Sequence, residues 1–456
     1  MLRDVLKSFE YAQREYSERL RIIYRDTVPD NCGLAICREV TFQVTNQCNL
    51  RCSYCYEHNK CDGDMSIYTA RKCIDMILDM YEDNNSDFIN HNTRGIILSF
   101  IGGEPLLKAK LIEDILDYYF HECYRRNIPL AVHSKVSFAT NGQNWFSPEA
   151  QHLFWKYHEI MSVSVSIDGI QELHDKYRIT PFGEGSFDKA IKAFYDGRDR
   201  FGWYHNKMTF TPGSTKYMCD SIKMMIANGC DTIYCNYAYE PMYTIHDAKD
   251  IYFELVKISD YLIQNKLDVY ITMLNTPVGE NVFFDPLMDD KNYCGGTGNM
   301  LAFAPDGKAY PCIRYMPVSI GNEKASNICI GDCYHGIYKT ESEKAIKSEL
   351  DSVTLTSQST DECIKCPIGQ GCGWCSGHNY ELYGTANKRY TGICYAHKGR
   401  VLGVCYYYNK RHIELNDIDA KKINLPYHEV VDILGKEEAD KLLALEKEAF
   451  KTSSTD

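Results

Sequence analysis

The chain has 456 residues, of which 44% are hydrophobic and 25% charged, and it carries a net charge of −12. This acidic balance argues against nucleic acid as the main partner, because phosphate binding needs a basic surface. No apolar run approaches the ~20 residues of a membrane-spanning helix, and the first residues mix both charges instead of forming a signal peptide. The sequence therefore predicts a cytoplasmic protein with one large domain and a smaller one.

Cysteine is frequent, with 21 residues that gather in clusters along the chain. This is about 5% of the chain, below the ~8–10% of small secreted disulfide scaffolds. Thiols stay reduced in the cytoplasm, so clustered cysteines favour metal binding over disulfides there.

The chain opens with a predicted amphipathic helix over residues 4–24, where apolar residues recur at helical spacing. Between residues 40 and 240, six β-rich runs alternate with helical patterns. The strands are predicted at Val40–Thr45, Gly95–Ile101, Ser134–Ala139, Ile160–Val165, Lys207–Thr211 and Asp231–Cys235. Helices are predicted over 66–82, with Ser66 as N-cap, and over 107–126. Strands followed by helices imply a parallel sheet with right-handed crossovers, whose functional residues lie at the carboxyl ends of the strands.

Three thiols follow the first strand, in the segment Cys48-Asn-Leu-Arg-Cys52-Ser-Tyr-Cys55. Zinc usually takes four protein ligands, or three and a water molecule. An iron–sulfur cube with only three cysteine ligands leaves one iron open for a substrate or cofactor. Spacing alone leaves a partial zinc site and buried structural cysteines as alternatives.

Two further motifs follow later strands. Gly102-Gly103-Glu104 ends the second strand; glycines allow a close backbone approach, and a carboxylate can hold an ammonium group. Ser166-Ile-Asp168-Gly169 follows the fourth strand. A turn alone would also account for the double glycine, as it would for Thr140-Asn141-Gly142 after the third strand.

A second cysteine-rich region begins after a bridging segment at 241–290, which includes a predicted strand at Val269–Met273. Its spacing is Cys294-x17-Cys312, then Cys363-x2-Cys366-x5-Cys372-x2-Cys375, and finally Cys394. Paired cysteines of this kind also occur in zinc ribbons. The tail carries a predicted helix near Glu437–Phe450.

The C-x3-C-x2-C spacing, with Tyr54 before its last thiol, resembles the signature of the radical S-adenosylmethionine (SAM) enzymes. The Gly-Gly-Glu and Ser-x-Asp-Gly motifs strengthen this resemblance, and the seven later cysteines look like the SPASM extension. The resemblance implies an α/β fold, a partial (β/α)6 TIM-like barrel with a C-terminal cysteine-rich SPASM domain. The implied segments are an N-terminal extension (1–39), the barrel (40–240), the bridge (241–290), the SPASM domain (291–400) and a helical tail (401–456).

The same resemblance implies the cofactor sites. Cys48, Cys52 and Cys55 would hold a 4Fe–4S cluster whose open iron binds SAM, and an electron from flavodoxin or ferredoxin would cleave SAM to a 5′-deoxyadenosyl radical. The residues implied to lie at the cofactor are Tyr54, Gly102, Gly103, Glu104 near the SAM amine, Ser166 near the ribose, and Asp168.

The SPASM resemblance implies two auxiliary 4Fe–4S clusters. Cys363, Cys366, Cys372 and Cys394 would complete one, and Cys294, Cys312 and Cys375 would hold the other. With only three cysteine ligands, one iron of that second cluster would be open, unless Cys329 or Cys333 supplies a fourth ligand. Two departures from the family pattern stand out: two residues rather than three separate Cys372 from Cys375, and Ile313 replaces the catalytic Asp that follows the equivalent cysteine of sulfatase maturases.

The predicted function is maturation of a ribosomally made, Cys-containing precursor peptide by linking a cysteine sulfur to a carbon. Within the superfamily, the pattern resembles maturases of Cys-x-x-x repeat peptides. The alternatives are a carbon–carbon crosslink or side-chain oxidation by a SPASM enzyme, and a zinc-stabilised binding module. Ile313 has no titratable proton, so formylglycine formation is not expected.

Overall fold

A computed structural model describes residues 36–201, 203–278, 294–298 and 300–452 of the chain. The helix predicted over 4–24 lies outside the described residues. The strands of the described part are β1 (Ile36–Thr45), β2 (Thr93–Gly102), β3 (Lys135–Thr140), β4 (Met161–Ser166), β5 (Trp203–Phe210), β6 (Thr232–Ile233), β7 (Cys235–Tyr237), β8 (Tyr270–Ile271), β9 (Met300–Phe303), β10 (Lys308–Tyr310), β11 (Gly331–Asp332) and β12 (Gly336–Ile337).

The α-helices of the same residues cover the barrel and the C-terminal half. They are α1 (Ile67–Asp83), α2 (Ala109–Arg125), α3 (Pro148–Tyr157), α4 (Gln171–Tyr177), α5 (Phe187–Arg200), α6 (Met218–Ala227), α7 (Ile245–Gln264), α8 (Thr272–Asn275), α9 (Pro317–Ile320), α10 (Asn322–Asn327), α11 (Glu341–Asp351), α12 (Leu355–Gln358), α13 (Asp361–Ile364), α14 (Ser376–Tyr383), α15 (Cys394–Leu415), α16 (Tyr427–Leu434) and α17 (Lys436–Thr452). None of the helices in the described ranges is long and apolar enough to cross a membrane.

Six parallel strands form the barrel sheet in the order β1-β2-β3-β4-β5-β7. Strand β4 shows how the sheet is built: Met161, Val163 and Val165 are fully buried in the main core. The serines between them lie on the other face, because successive side chains of a strand alternate. The predicted fold class, a partial (β/α)6 barrel with a cysteine-rich C-terminal region, is confirmed.

The cysteine-rich region continues the same sheet. Strand β9 pairs parallel with β1, and β10, β11 and β12 follow it antiparallel. Helix α15 packs on α7 through two glycines: a Cβ added at Gly399 would lie 2.3 Å from Ala248 O, and one at Gly403 would lie 2.6 Å from Leu255 Cβ. This helix runs through residue 400, where the sequence analysis placed the end of the SPASM domain.

Local chemistry explains how the elements differ from their predicted bounds. Ser66 caps α1 as predicted, accepting a hydrogen bond from Thr69 N at 3.0 Å. The sixth predicted strand divides into β6 and β7 at Tyr234, whose N–H donates to the Asn206 side chain instead of a ladder partner. The strand predicted at Val269–Met273 is only two residues long. Ile271 N donates to Asn275 Oδ1 at 2.7 Å, which turns the chain into α8.

Candidate metal and cofactor site

The loop after β1 presents the three predicted thiols at the carboxyl end of the sheet. Cys48, Cys52 and Cys55 are all partly exposed. The loop is tied to the segment after β4, because Arg51 N donates to Ile179 O at 2.7 Å and Ser53 N donates to Tyr177 O at 3.0 Å. The backbone at the end of α4 therefore anchors the three-thiol loop at one mouth of the barrel.

Each of these thiols has a polar or cationic group beside its sulfur. The contacts to the Sγ atoms are Leu50 N and Asn141 Nδ2 to Cys48 at 3.4 and 3.8 Å, Arg178 Nη1 to Cys52 at 3.9 Å, and Lys60 Nζ to Cys55 at 3.9 Å. Burial raises the pKa of Cys48 to about 12 and raises that of Cys52, which Arg178 partly offsets. Nearby cations and N–H donors favour the thiolate, the form that binds metals.

Asp168 fastens the cysteine loop to the barrel. Arg178 donates to its carboxylate from Nε at 2.8 Å and from Nη2 at 3.3 Å, and Tyr54 Oη and Thr209 N donate to the same group. The Arg178 guanidinium also lies over the Tyr54 ring, 5.3 Å from its centre. The carboxylate of Asp168 therefore makes protein contacts, and through them it positions Tyr54 and the neighbouring thiols.

His174 orders the turn that carries Arg178. Burial lowers its pKa to about 4, so the ring is neutral at neutral pH. Its Nδ1 accepts from Asp168 N at 3.3 Å, which leaves Nε2–H to donate to Ser186 Oγ at 3.0 Å. Ser186 Oγ in turn donates to Arg178 O at 2.6 Å. No sequence motif indicates Ser186, which lies outside all of the motifs described above.

The double glycine after β2 lets this strand touch the cysteine loop. A Cβ at Gly102 would lie 2.5 Å from Thr45 O, and one at Gly103 would lie 2.4 Å from Gln47 O. Both distances are too short for any side chain. Glu104 N then donates to Gln47 O at 2.9 Å, so the motif is required by packing.

The Glu104 carboxylate is buried beside that loop. It accepts from Thr140 Oγ1 at 2.6 Å, from Asn141 N at 2.8 Å and from Leu106 N at 3.1 Å. Burial nevertheless raises its pKa to about 7. Asn141 also donates to Asn49 Oδ1 at 2.8 Å, so the Thr-Asn-Gly turn joins Glu104 to the three-thiol loop.

Strand β4 ends at Ser166, which is buried and pairs with Lys207 of β5. Lys207 is an exposed residue. Sequence reasoning named Ser166 and missed Lys207, whose position depends on the pairing of two strands.

A second group of thiols joins Cys294, Cys312 and Cys375 from three separate segments. Burial raises the pKa of Cys312, and the neighbouring Cys375 and Cys294 raise it further. Cys294 Sγ lies 3.2 Å from Ser376 Oγ, and a Cβ at Gly296 would lie 3.0 Å from Cys312 Sγ. The turn at Gly296 must therefore carry glycine for these thiols to meet.

A third group holds the remaining predicted ligands. The pKa of Cys372 is raised, chiefly by burial and further by Cys366 and Cys363, although Arg389 partly offsets this rise. Cys394 has Cys372 and Cys363 as neighbours. Tyr239 lies between the second and third groups, with Cys372, Cys375 and Cys394 around it.

Cys329 and Cys333 lie apart from the second group. Cys329 Sγ donates to Gly331 O at 3.3 Å. Cys333 hydrogen-bonds with Cys73 of α1.

Tyr56 and Arg314 connect the first and second groups. Tyr56 follows Cys55 in the chain, and Cys55 and Cys312 are both among the charges that raise its pKa after burial. The Arg314 guanidinium lies over the Tyr56 ring, 4.8 Å from its centre, and donates to Glu240 Oε1 at 2.5 Å. The two thiol groups therefore face one shared region above the barrel.

Residues 42–254 match the Radical SAM superfamily, and this stretch contains the barrel strands, the three-thiol loop and Glu104. Residues 42–254 are a radical SAM domain. The resemblance stated from the sequence is confirmed for this part of the chain.

Two relatives share sequence with this chain, and the second of them matches well beyond the length of the radical SAM domain. An uncharacterised protein of Methanocaldococcus jannaschii, MJ0907, is 30% identical over 43% of this chain, and the match spans 61% of that protein's own length. The radical SAM cyclopropyl synthase TigE of Paramaledivibacter caminithermalis is 23% identical over 79% of this chain and 71% of its own length.

A solved structure shares the fold of the radical SAM domain and most of the C-terminal half. It is native anSMEcpe with bound AdoMet and Cp18Cys peptide, which superposes with a TM-score of 0.59 at 16% identity. The superposition covers 83% of this chain and 98% of the other.

The three thiols of the loop after β1 have the chemistry that a 4Fe–4S cluster needs, since three cysteine thiolates hold three irons and leave the fourth open. The N–H donors and cations beside the radical SAM thiols also suit an anionic cluster.

Proposed function

We propose that this chain is a radical SAM maturase that forms a thioether in a ribosomally made precursor peptide. The carrying observation is that Cys294, Cys312 and Cys375 form a thiol group which faces the radical SAM loop across Tyr56 and Arg314. A peptide between them would meet both the site of hydrogen abstraction and an electron acceptor. The peptide bound to anSMEcpe supports a peptide substrate.

Residues around the three-thiol loop would bind the first cluster and SAM. Cys48, Cys52 and Cys55 would ligate the first 4Fe–4S cluster, with Arg178 and Lys60 offsetting its negative charge. Ionised Glu104 would accept from the SAM ammonium group, and Ser166 would contact the ribose. Asp168 and Tyr54 would fix the loop on which all of this depends.

The second and third thiol groups would hold two auxiliary clusters within a SPASM region at 291–400. When bound, SAM and its cluster supply a radical that takes a hydrogen atom from a peptide carbon, and the auxiliary clusters supply an acceptor for one electron. The thiol of the peptide loses its proton as the C–S bond closes. The net change is the loss of one C–H hydrogen and one S–H hydrogen for each thioether. The external electron donor would be a cytoplasmic flavodoxin or ferredoxin.

The test incubates the anoxically reconstituted protein with SAM, a reductant and Cys-containing precursor peptides, beginning with any encoded beside its gene. Mass spectrometry should show the loss of two hydrogens for each event and a cysteine that no longer reacts with iodoacetamide. The same mass loss with a cysteine that still reacts would contradict thioether formation.

That contrary result would support the second candidate, a carbon–carbon crosslink. It is favoured by the likeness to TigE, since closing a cyclopropane ring joins two carbons. Fragmentation of the product peptide assigns the new bond directly.

A further inference from the structure

Arg314 leaves one edge of its guanidinium without a hydrogen-bond partner among the described residues. Nη1 donates to Glu240 Oε1 at 2.5 Å, whereas Nε and Nη2 are buried and unpartnered. Glu381 lies 3.9 Å from Nη2, too far for a hydrogen bond. Leaving buried donors of a charged group unsatisfied is energetically costly. Such groups in native proteins nearly always have an acceptor.

Arg314, whose Nε and Nη2 are unpartnered, packs beside the second thiol group. Arg314 follows Cys312 by two residues, and a Cβ added at Gly377 would lie 2.3 Å from Arg314 Cβ. The stem of Arg314 therefore packs directly on the turn after Cys375. Both Cys375 and Glu240 lie close enough to the Arg314 guanidinium to interact with its charge.

The neighbouring charges indicate which acceptor fits. Nε–H and Nη2–H form a parallel fork that suits two acceptor atoms. Glu240 and Glu381 already lie beside this guanidinium, so a carboxylate from a peptide would meet two like charges there. The sulfides of a cluster can also accept these N–H groups, and the iron ions of the cluster offset their negative charge.

We propose that Arg314 donates Nε–H and Nη2–H to sulfur atoms of the auxiliary cluster held by Cys294, Cys312 and Cys375, and so raises its reduction potential. This inference rests on the proposed function, which places a cluster there. The reduced cluster carries one more negative charge, which a cation and two N–H donors stabilise. Arg314 is thus a positioning residue that makes this cluster the better electron acceptor.

The test uses full-length protein with Cys48→Ala, Cys52→Ala and Cys55→Ala, so that only auxiliary clusters remain. Iron is counted first, and the midpoint potentials are then measured by redox titration followed by electron paramagnetic resonance. Arg314→Gln should shift one potential to a more negative value and leave the other unchanged. Arg314→Lys keeps the charge without the fork and should give a smaller shift. Arg198→Gln, an exposed arginine of α5, is the matched control and should shift neither potential.

Unchanged potentials in both Arg314 variants with full iron would overturn the inference and leave the proposed function standing. Weaker binding of a Cys-containing peptide without any shift in potential would also overturn it, and would assign the fork to a peptide group. A background protein with only about four irons instead of about eight would overturn both proposals. If Arg314→Gln loses iron, the shift in Arg314→Lys alone decides.

Discussion

Arg178 donates hydrogen bonds to both carboxylate oxygens of Asp168, from Nε at 2.8 Å and from Nη2 at 3.3 Å. Both residues are buried, and the third nitrogen of the same guanidinium reaches Cys52 Sγ at 3.9 Å. One ion pair therefore connects the end of β4 to the three-thiol loop.

Arg178→Met should destabilise the fold, because it leaves the buried Asp168 charge without its cation. Removing one partner of a buried ion pair costs about 3–5 kcal/mol. The double variant Arg178→Met/Asp168→Asn should lose less than the sum of the two single variants. Anoxic thermal unfolding measures the change, with Arg198→Met as the exposed control. Strictly additive losses would contradict a direct coupling of the two residues.

Glu104 should make SAM binding depend on pH. Its pKa is about 7, and only the ionised form attracts the SAM ammonium group. SAM affinity should therefore rise about tenfold between pH ~6 and pH ~8, and Glu104→Gln should remove the dependence. Equilibrium dialysis with labelled SAM measures it; an equal slope in Glu104→Gln would assign the titration to another group.

The same carboxyl should lower the stability of the SAM-free protein as pH rises. Its pKa in the folded chain is raised from the ordinary 4.5 to about 7, so the folded state binds the proton more tightly than the unfolded state does. The stabilisation is complete below pH ~4.5 and is lost as pH rises through ~7, a change of about 3 kcal/mol. Unfolding curves at several pH values should show this slope, and Glu104→Gln should flatten it.

Gly103→Ala should displace the cysteine loop, because its Cβ would lie 2.4 Å from Gln47 O and 2.7 Å from Cys48 Cβ. We expect loss of the SAM-binding cluster, measured as about four irons fewer for each chain. Gly373→Ala is the matched control, since its Cβ would meet its nearest neighbour, the Tyr239 ring, at an ordinary 3.4 Å. Full iron in Gly103→Ala would show that the loop tolerates the shift.

Cys375→Ala should remove an auxiliary cluster without stopping SAM cleavage, because the first cluster has its own ligands. Its iron should fall by about four, peptide modification should cease, and 5′-deoxyadenosine should still form. Cys405→Ala, which removes a buried thiol outside the three groups, should keep all its iron. Loss of iron in both variants would indicate general misfolding.

The spacing of residues along the chain was enough to predict the barrel strands and the motifs at their ends. The three-thiol loop, Gly102, Gly103 and Glu104 stand at strand ends, where a parallel sheet brings carboxyl ends together, and six strands could be read from their β-rich runs. The split at Tyr234 could not be read, because it depends on a contact with the distant side chain of Asn206.

Contacts between distant segments explain what the sequence missed at the site. Arg314 looked like an ordinary residue beside Cys312, and its relation to Tyr56 and Glu240 exists only in the folded chain. The sequence predicts Asp168 at the cofactor, and the folded chain adds that its carboxylate accepts hydrogen bonds from Arg178, Tyr54 and Thr209. A sequence motif can identify a candidate residue, but the contacts of its side chain depend on how distant segments pack.

The most direct measurement is the release of 5′-deoxyadenosine by anoxically reconstituted protein supplied with SAM and dithionite. The account predicts release by the unaltered chain and none by Cys52→Ala, whose circular dichroism should otherwise match. No release from the iron-loaded chain, or equal release from Cys52→Ala, would contradict the assignment of Cys48, Cys52 and Cys55 as the SAM-cleaving site.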